Sequence, residues 1–156
     1  MTQGQLIEAP VSARERKIAI VAARFNDFIV SSLLKGATAA WSLHGGAPQD
    51  LTVVRVPGAF ELPVAARKLA ASGRFEALVA LGCVIRGDTP HFDYVAGECA
   101  RGLQLTSLET GVPIAFGVLT VENREQALER AAIGGMNKGG EALECALEMA
   151  ALMARL

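Results

Sequence analysis

The feature that most constrains the fold of this sequence is an unbroken apolar run, Ala77–Ile85, with the sequence ALVALGCVI. A strand with one face in water alternates apolar and polar side chains, and this run contains no polar side chain. Such a run is typical of a parallel strand whose two faces are both covered by helices. It is also far shorter than the roughly 20 residues that a membrane-spanning helix needs. The run therefore predicts a soluble protein with a layered α/β core.

Strands and helices alternate along the rest of the chain. Apolar or β-branched runs predict four strands, at residues 18–22, 51–56, 77–85 and 112–121. Apolar residues at helical spacing predict helices after Asn26, after Pro57-Gly58, and over 91–109, 122–131 and 138–156. This alternation predicts one three-layer α/β domain over residues 17–156, with a four-stranded parallel sheet and helices on both faces. Residues 1–16 lack a sustained period and are expected to form an extended arm.

The composition excludes several classes of protein. Of the 156 residues, 51% are hydrophobic and 20% are charged, which provides ample apolar mass for one core and excludes intrinsic disorder. Fifteen Lys and Arg residues against sixteen Asp and Glu residues give a net charge of -1 without a long basic block, so we expect no nucleic-acid partner. The polar start MTQGQLIEAP lacks the apolar stretch of a secretory signal. We therefore expect a cytoplasmic protein that does not bind a membrane.

The cysteines and histidines indicate neither a disulfide framework nor a metal site. The three cysteines are odd in number and share no CxxC spacing, so we expect Cys83, Cys99 and Cys145 to be small core residues. Only two histidines are present, so one chain cannot assemble a multi-histidine metal cluster. His44 precedes Gly45-Gly46 and fits a helix-capping role. We expect no bound metal ion.

The residues that directly follow the strands form the candidate site, because ligands of open parallel sheets bind beyond the carboxyl ends of the strands. Three loops carry unusual residues at these positions. They are Arg24-Phe25-Asn26, Pro57-Gly58-Ala59-Phe60-Glu61 and Arg86-Gly87-Asp88-Thr89-Pro90-His91. Together they provide an aromatic ring, a carboxylate, a glycine-rich turn and one of the two histidines.

The third of these loops predicts an anion site. Gly87, Asp88 and Thr89 precede a helix, whose free N–H groups and positive dipole end attract anions. Thr89 either adds a hydroxyl donor to this site or simply caps the helix. His91, at the start of the same helix, either exchanges protons with the bound anion or is an ordinary surface histidine. The GxxxxGK[ST] pattern of a Walker A loop is absent.

The other candidate residues also have alternative structural explanations. Phe25 either offers a stacking face for a flat ligand or staples the helix that Asn26 is predicted to cap. Glu61 either complements a helix dipole or accepts hydrogen bonds from ligand hydroxyls. Arg130 and Lys138, on pattern alone, are solvated charges.

Two features of the helices predict self-association. Gly97 and Gly102 lie inside a predicted helix, where each costs about 1 kcal/mol against alanine unless another element approaches closely. The last helix offers more apolar surface than one sheet face needs, including Met149, Leu152 and Met153. The alternative is a helix that is well buried within one subunit.

Several segments carry a resemblance to a known enzyme family. They are Phe25-Asn26, residues 58–63, residues 82–95, residues 116–120, Glu129-Arg130-Ala131 and Asn137-Lys138-Gly139. In order and spacing over residues 17–156, these segments resemble 6,7-dimethyl-8-ribityllumazine synthase, the penultimate enzyme of riboflavin biosynthesis. The resemblance implies a flavodoxin-like fold with strand order 2-1-3-4.

The resemblance also implies a reaction and an assembly. Members of this family condense 5-amino-6-(D-ribitylamino)uracil with 3,4-dihydroxy-2-butanone 4-phosphate, releasing phosphate and water, without a metal or organic cofactor. The family assembles as homopentamers or as icosahedral shells of sixty subunits. The segment 132–137, where these two assemblies differ, carries no insertion in this chain, which leaves both assemblies open.

Carried over position by position, the resemblance implies a role for each matching residue. His91 is the catalytic proton-transfer residue. Phosphate-binding roles fall to Gly87, Asp88, Thr89 and Arg130. Substrate-binding roles fall to Phe25, Asn26, Gly58, Ala59, Phe60, Glu61, Cys83, Val84, Ile85, Phe116 and Lys138. Among these residues, Phe116, Arg130 and Lys138 match positions that the family supplies from a neighbouring subunit.

The phosphate loop departs from the family pattern at two positions. Asp88 places a carboxylate beside the phosphate site, so its side chain must point away or the phosphate contact is weakened, and Pro90 removes one amide donor. Two other functions fit the same fold. A non-catalytic flavin- or lumazine-binding shell protein would not need His91 and Arg130, and a flavodoxin-like electron carrier would need a Ser/Thr-rich phosphate loop that this chain lacks.

Overall fold

The computed structural model describes residues 3–156, so the first two residues of the predicted arm lie outside it. Four strands form one parallel sheet: β1 (Ile18–Ala23), β2 (Leu51–Val56), β3 (Ala77–Ile85) and β4 (Ile114–Val121). Their order across the sheet is β2-β1-β3-β4. This order confirms the flavodoxin-like topology that the family resemblance implied.

Five α-helices connect and follow these strands. They are α1 (Asp27–Leu43), α2 (Leu62–Ala70), α3 (His91–Thr110), α4 (Arg124–Ala131) and α5 (Lys138–Met153). Short 3-10 turns at Pro48–Asp50 and Ala59–Glu61 precede β2 and α2. All five helices lie where the apolar spacing predicted them.

Three predicted boundaries are wrong by a few residues, two of them because of local hydrogen bonds. β4 begins at Ile114 rather than at residue 112, because the Val112 carbonyl accepts a hydrogen bond from Ser107 and closes the turn after α3. α4 begins at Arg124 rather than at residue 122, because the Asn123 side chain caps the helix by accepting from the Gln126 N–H. α5 ends at Met153, three residues before the predicted end.

The core consists of two apolar layers, one on each side of the sheet. The side chains of β3 alternate between them: Ala77, Val79, Leu81 and Cys83 pack against α1, α4 and α5, whereas Leu78, Ala80 and Val84 pack against α2 and α3. All residues of β3 except Ile85 are buried. This burial explains the unbroken apolar run and confirms the three-layer arrangement.

The N-terminal segment meets the core at Ala13. Residues 3–13 contain no helix or strand, and Leu6 is 80% exposed. Ala13 is buried, and its N–H donates to the His44 carbonyl. The division of the chain into an arm and one domain stays a prediction. In the part of the chain that the structure describes, no helix has the length and apolarity to cross a membrane.

The prediction that all three cysteines are core residues is right for two of them. Cys83 and Cys99 are buried, and burial raises the pKa of each thiol to about 11. Both thiols are therefore protonated at neutral pH and poorly nucleophilic. Cys145 is exposed, because it lies on the side of α5 that faces away from the core. Apolar residues cover most of the α5 circumference, so the sequence does not show which side is outward.

The two glycines inside α3 have different surroundings. A Cβ atom at Gly102 would lie 2.8 Å from Cβ and 2.9 Å from Cγ of Pro63, so this glycine allows α2 to approach α3 closely. A Cβ atom at Gly97 would meet nothing within 4 Å among the described residues. Within one chain, the close approach expected at both positions exists only at Gly102.

This difference makes the two glycines a matched pair for mutagenesis. Gly102→Ala should lower the free energy of unfolding by about 1–3 kcal/mol, because the new methyl group would overlap the stiff Pro63 ring. Gly97→Ala should instead raise it by about 0.5–1 kcal/mol, because alanine favours a helix and has room there. Urea denaturation at a fixed protein concentration measures both changes. A similar loss of stability in both variants would show that another chain packs against Gly97.

Candidate active site

The carboxyl ends of β1, β2 and β3 open onto a cleft of about 650 Å³. It lies at the switch point of the sheet, where the chain leaves the neighbouring strands β1 and β3 toward opposite faces. Most of the predicted site residues line it: Phe25, Asn26, Gly58, Ala59, Phe60, Glu61, Cys83, Val84, Ile85, Gly87, Thr89 and His91. The topology therefore brings residues from three separate loops to one place.

The loop after β1 presents the Phe25 ring to this cleft. The Phe25 N–H donates to the Pro57 carbonyl at 3.0 Å, and the neighbouring Arg24 N–H donates to the Val56 carbonyl at 2.8 Å. The ring itself is 72% exposed. A ring that stapled the following helix would be largely covered, so this exposure favours the stacking role over the staple.

The sequence predicted that Asn26 caps α1, but its side chain makes no hydrogen bond to the start of the helix. It occupies the N-cap position in the left-handed conformation, with φ 61° and ψ 44°, and makes no side-chain cap bond. Its amide nitrogen instead donates to the Cys83 carbonyl at 2.9 Å. The side chain thereby ties the loop after β1 to the end of β3, a long-range partner that local sequence does not reveal.

An ion pair between Arg55 and Asp27 holds the start of α1 against strand β2. Arg55 on β2 donates to Asp27 Oδ1 at 2.6 Å and to the Ala22 and Ala23 carbonyls at 3.3 Å each. The hydrogen bond from Arg55 lowers the pKa of the Asp27 carboxyl group, and a further hydrogen bond from Ser31 adds to this effect. The edge strand β2 is thus bound to the turn that carries Phe25.

Gly58 and Glu61 shape the wall of the cleft beside Phe25. A Cβ atom at Gly58 would lie 3.2 Å from the Glu61 carboxylate and 3.9 Å from Cβ of Phe25, so glycine leaves room for both side chains. The Glu61 N–H donates to the Gly58 carbonyl at 3.2 Å. Among residues 3–156, no side chain or amide donates a hydrogen bond to the Glu61 carboxylate. The carboxylate is therefore free to accept hydrogen bonds from ligand hydroxyl groups.

The loop before α3 has the features of an anion site. Gly87, Asp88 and Thr89 are exposed, and their N–H groups have no partner within the described chain. The cleft lining includes Gly87 and Thr89 but not Asp88, so the Asp88 carboxylate stays outside the cleft. The helix that follows, α3, adds the positive end of its dipole.

His91 is the first residue of α3 and is exposed at the cleft. Its N–H lies 3.4 Å from Thr89 Oγ1, a long contact, and the N-cap position belongs to Pro90, which makes no side-chain cap bond. Thr89 therefore contributes little as a cap and can offer its hydroxyl to a ligand. The other histidine, His44, is the C-cap of α1 and contacts Glu144 at 2.9 Å, which supports its structural role.

Three lining residues are absent from the sequence-based prediction of the site. Phe92, Tyr94 and Val95 line the cleft from the first turns of α3. Tyr94 and Val95 lie three and four residues after His91 and so share its helix face, which is the signal that could have identified them. Tyr94 is 68% exposed.

The remaining predicted site residues lie elsewhere. Phe116, Arg130 and Lys138 line a second cleft of about 480 Å³ along the free edge of β4. Arg130 donates to the Gln126 carbonyl at 3.2 Å, and Lys138 donates to both oxygens of Glu141 at 2.9 and 3.2 Å. One chain therefore does not bring these three residues to His91.

The arrangement at the first cleft indicates what kind of ligand it can bind. An exposed aromatic ring suits a flat ring, a free carboxylate suits hydroxyl groups, and unpaired amides at a helix start suit an anion. The Cys83 thiol in the cleft wall is protonated at neutral pH and is poorly suited as a nucleophile. Among residues 3–156, no cluster of three or more His, Cys, Asp or Glu side chains is placed to hold a metal ion.

The sequence matches a known protein family. A sequence model of the family described as 6,7-dimethyl-8-ribityllumazine synthase matches residues 15–154. The match covers all five helices and all four strands up to Met153. The matched residues include all those that line the two clefts.

The Asp27–Arg55 ion pair predicts a pH-dependent stability. A carboxyl group whose pKa is lowered on folding stabilises the fold above its unfolded pKa of about 4, and this contribution is lost as the pH falls through the folded pKa. Because both side chains are partly exposed, the effect is small: Asp27→Asn should lower the urea midpoint slightly at pH 7, and the difference from the wild type should disappear as the pH falls below about 4. Urea titrations between neutral and acidic pH measure this difference. A difference that stays constant over this range would contradict the assigned ion pair.

Proposed function

Because the chain belongs to the 6,7-dimethyl-8-ribityllumazine synthase family, we propose that it condenses 5-amino-6-(D-ribitylamino)uracil with 3,4-dihydroxy-2-butanone 4-phosphate. Family membership makes the chain a transferase of riboflavin biosynthesis that forms the lumazine. Membership alone does not identify the two substrates, the penultimate position of the step or the roles of single residues, and these are part of the proposal.

One observation carries the proposal: four groups of different chemistry meet at one cleft. They are the exposed Phe25 ring, the free Glu61 carboxylate, the unpaired amides at Gly87 and Thr89, and the His91 ring. The first substrate has a flat ring and a polyhydroxyl chain, and the second has a phosphate. Each part of the substrates thus has a matching group in the cleft.

Binding follows from this match. Phe25 stacks on the pyrimidine ring, and the ribityl hydroxyls donate to Glu61 and contact the backbone near Ala59. The amides of Gly87, Asp88 and Thr89 hold the phosphate. The other lining residues shape the walls that orient both substrates: Asn26, Gly58, Phe60, Cys83, Val84 and Ile85.

The substrates supply most of the reacting groups. The primary amine of the uracil attacks the ketone of the butanone, and loss of water gives an imine. Loss of the C3 proton and of phosphate from C4 gives an enol, which tautomerises to a ketone at C3. The nitrogen that bears the ribityl chain then attacks this carbonyl and closes the ring with loss of a second water. These steps need a fixed orientation of the two substrates and proton transfers, which we assign to His91. Imine formation needs no enzyme lysine, because the uracil substrate supplies the amine.

We further propose that Phe116, Arg130 and Lys138 complete the site of a neighbouring subunit. They lie together at the free edge of β4, in a cleft separate from that of His91 within the same chain. A head-to-tail ring brings the β4 edge of one subunit to the first cleft of the next. Arg130 then pairs with the phosphate across the interface. Such a ring is a homopentamer, alone or as the unit of an icosahedral shell of sixty subunits.

The activity itself is the first test. Purified protein mixed with the two substrates should form the fluorescent lumazine and release phosphate. His91→Ala should lower turnover by about 10- to 1000-fold, because one acid-base contribution is lost while water or substrate relays some protons. His44→Ala removes the only other histidine, far from the cleft, and should leave turnover of the folded protein unchanged. Equal turnover of wild type and His91→Ala at all pH values would exclude His91 as the proton-transfer residue.

Mixed oligomers test the shared site. Arg130→Ala should raise the KM of the butanone phosphate, and His91→Ala should lower turnover. When the two variants are unfolded together and reassembled in equal amounts, roughly a quarter of the interfaces in a head-to-tail ring carry both native residues. Activity should then return to about that fraction of the wild-type value. With mixed oligomers confirmed by native mass spectrometry, a mixture no more active than the average of its components would contradict the shared site.

A further inference from the structure

The loop that carries the unpaired amides has few attachments of its own. The N–H groups of Gly87, Asp88 and Thr89 make no hydrogen bond to any described residue, and the four residues 87–90 are exposed. Just before them, the Arg86 N–H donates to the Val121 carbonyl at the end of β4 at 2.9 Å. Free amides are what an anion site requires, but they leave the shape of the loop to be set by its two ends.

The Arg86 side chain joins these two ends. Its Nε donates to Glu122 Oε2 at 2.9 Å, directly after β4, and its Nη1 donates to Asp93 Oδ1 at 3.3 Å, in the first turn of α3. The guanidinium carbon lies 4.2 Å from the centre of the Phe92 ring, which itself lines the cleft. One side chain thus links the start of the loop, the end of β4 and the two residues that follow His91.

We propose that Arg86 is a positioning residue, which sets the loop amides and His91 relative to the cleft by binding Asp93, Glu122 and Phe92. This inference rests on the proposed function, since it concerns the phosphate-bearing substrate. Arg86 is not itself among the residues that line the cleft. Its planar group makes two hydrogen bonds in different directions while stacking on a ring, which a lysine cannot do.

The geometry favours positioning over a contribution to stability. The side chains of Arg86, Asp93 and Glu122 are 40%, 60% and 61% exposed, and ion pairs this exposed contribute little to folding. Loss of the pairs should therefore leave the fold intact and change only the local placement of the loop. The consequence should appear in substrate kinetics rather than in the unfolding midpoint.

The test compares two ways of breaking the network. Arg86→Met removes the guanidinium, and the double variant Asp93→Ala/Glu122→Ala keeps it but removes both carboxylate partners. Arg16→Met is the matched control, because Arg16 makes a 2.9 Å ion pair with Glu76 at the opposite end of the sheet. For each protein we would measure the KM of both substrates, inhibition by inorganic phosphate, the unfolding midpoint, the native mass, and hydrogen exchange over residues 86–96.

Positioning predicts the same result for both network variants. Each should raise the KM of the butanone phosphate and the inhibition constant of inorganic phosphate by about 3- to 10-fold, with a smaller change in the KM of the uracil substrate. Hydrogen exchange over residues 86–96 should become faster in both, at unchanged native mass. Arg86→Lys should recover only part of the loss, and Arg16→Met should match the wild type.

Other outcomes overturn the inference. If Arg86 contacts the phosphate directly, Arg86→Met should raise the KM of the butanone phosphate. The double variant should then leave this KM unchanged or lower it, because the Arg86 charge has lost its carboxylate partners. Unchanged hydrogen exchange in both variants would show that the network does not hold the loop, whether or not the wild type forms the lumazine. A wild type that forms no product and is not inhibited by phosphate would overturn the proposed function, and with it the link between Arg86 and the substrate.

Discussion

The rest of the structure depends on the burial of β3 between two layers of helices. Ala77, Val79, Leu81 and Cys83 face one layer and the intervening residues face the other, so neither face of the strand can be left in water. Parallel strands satisfy this condition only if the connecting helices lie on both sides of the sheet. The chain therefore leaves the neighbouring strands β1 and β3 toward opposite faces, and the gap between their carboxyl ends becomes the cleft.

The loops at this cleft combine fixed attachments with unused polar groups. The loop after β1 is held by backbone hydrogen bonds to Pro57 and Val56 and by the Asn26 side chain, while the Phe25 ring stays exposed. The loop before α3 is held at its ends, while its amides have no partner in the described chain. Polar groups left unpaired in one chain are costly unless water or a ligand meets them, so their concentration here is the physical basis of the proposed site.

The second cleft shows a limit of the single chain. Phe116, Arg130 and Lys138 lie at the free edge of β4, and the order of the sheet separates that edge from the gap between β1 and β3. Local flexibility cannot remove this separation, because β4 is bound to β3 along its whole length. In the proposed shared site, catalysis is therefore connected to assembly, because the chain that provides His91 takes the arginine from a second chain.

The sequence by itself determined the order of the four strands and five α-helices and identified most of the residues that line the cleft. The spacing of apolar residues along the chain indicates which faces of the strands and helices are buried. Because ligands bind beyond the carboxyl ends of parallel strands, the loops that carry Phe25, Glu61 and His91 are then the expected binding loops. Tertiary structure alone decided where side chains with several possible partners point. Asn26 binds the Cys83 carbonyl instead of capping its own helix, Cys145 faces outward, and only one of the two α3 glycines meets another helix. The physical reason is that these outcomes depend on contacts between residues that are distant in the chain, and no periodic pattern in the local sequence indicates such contacts.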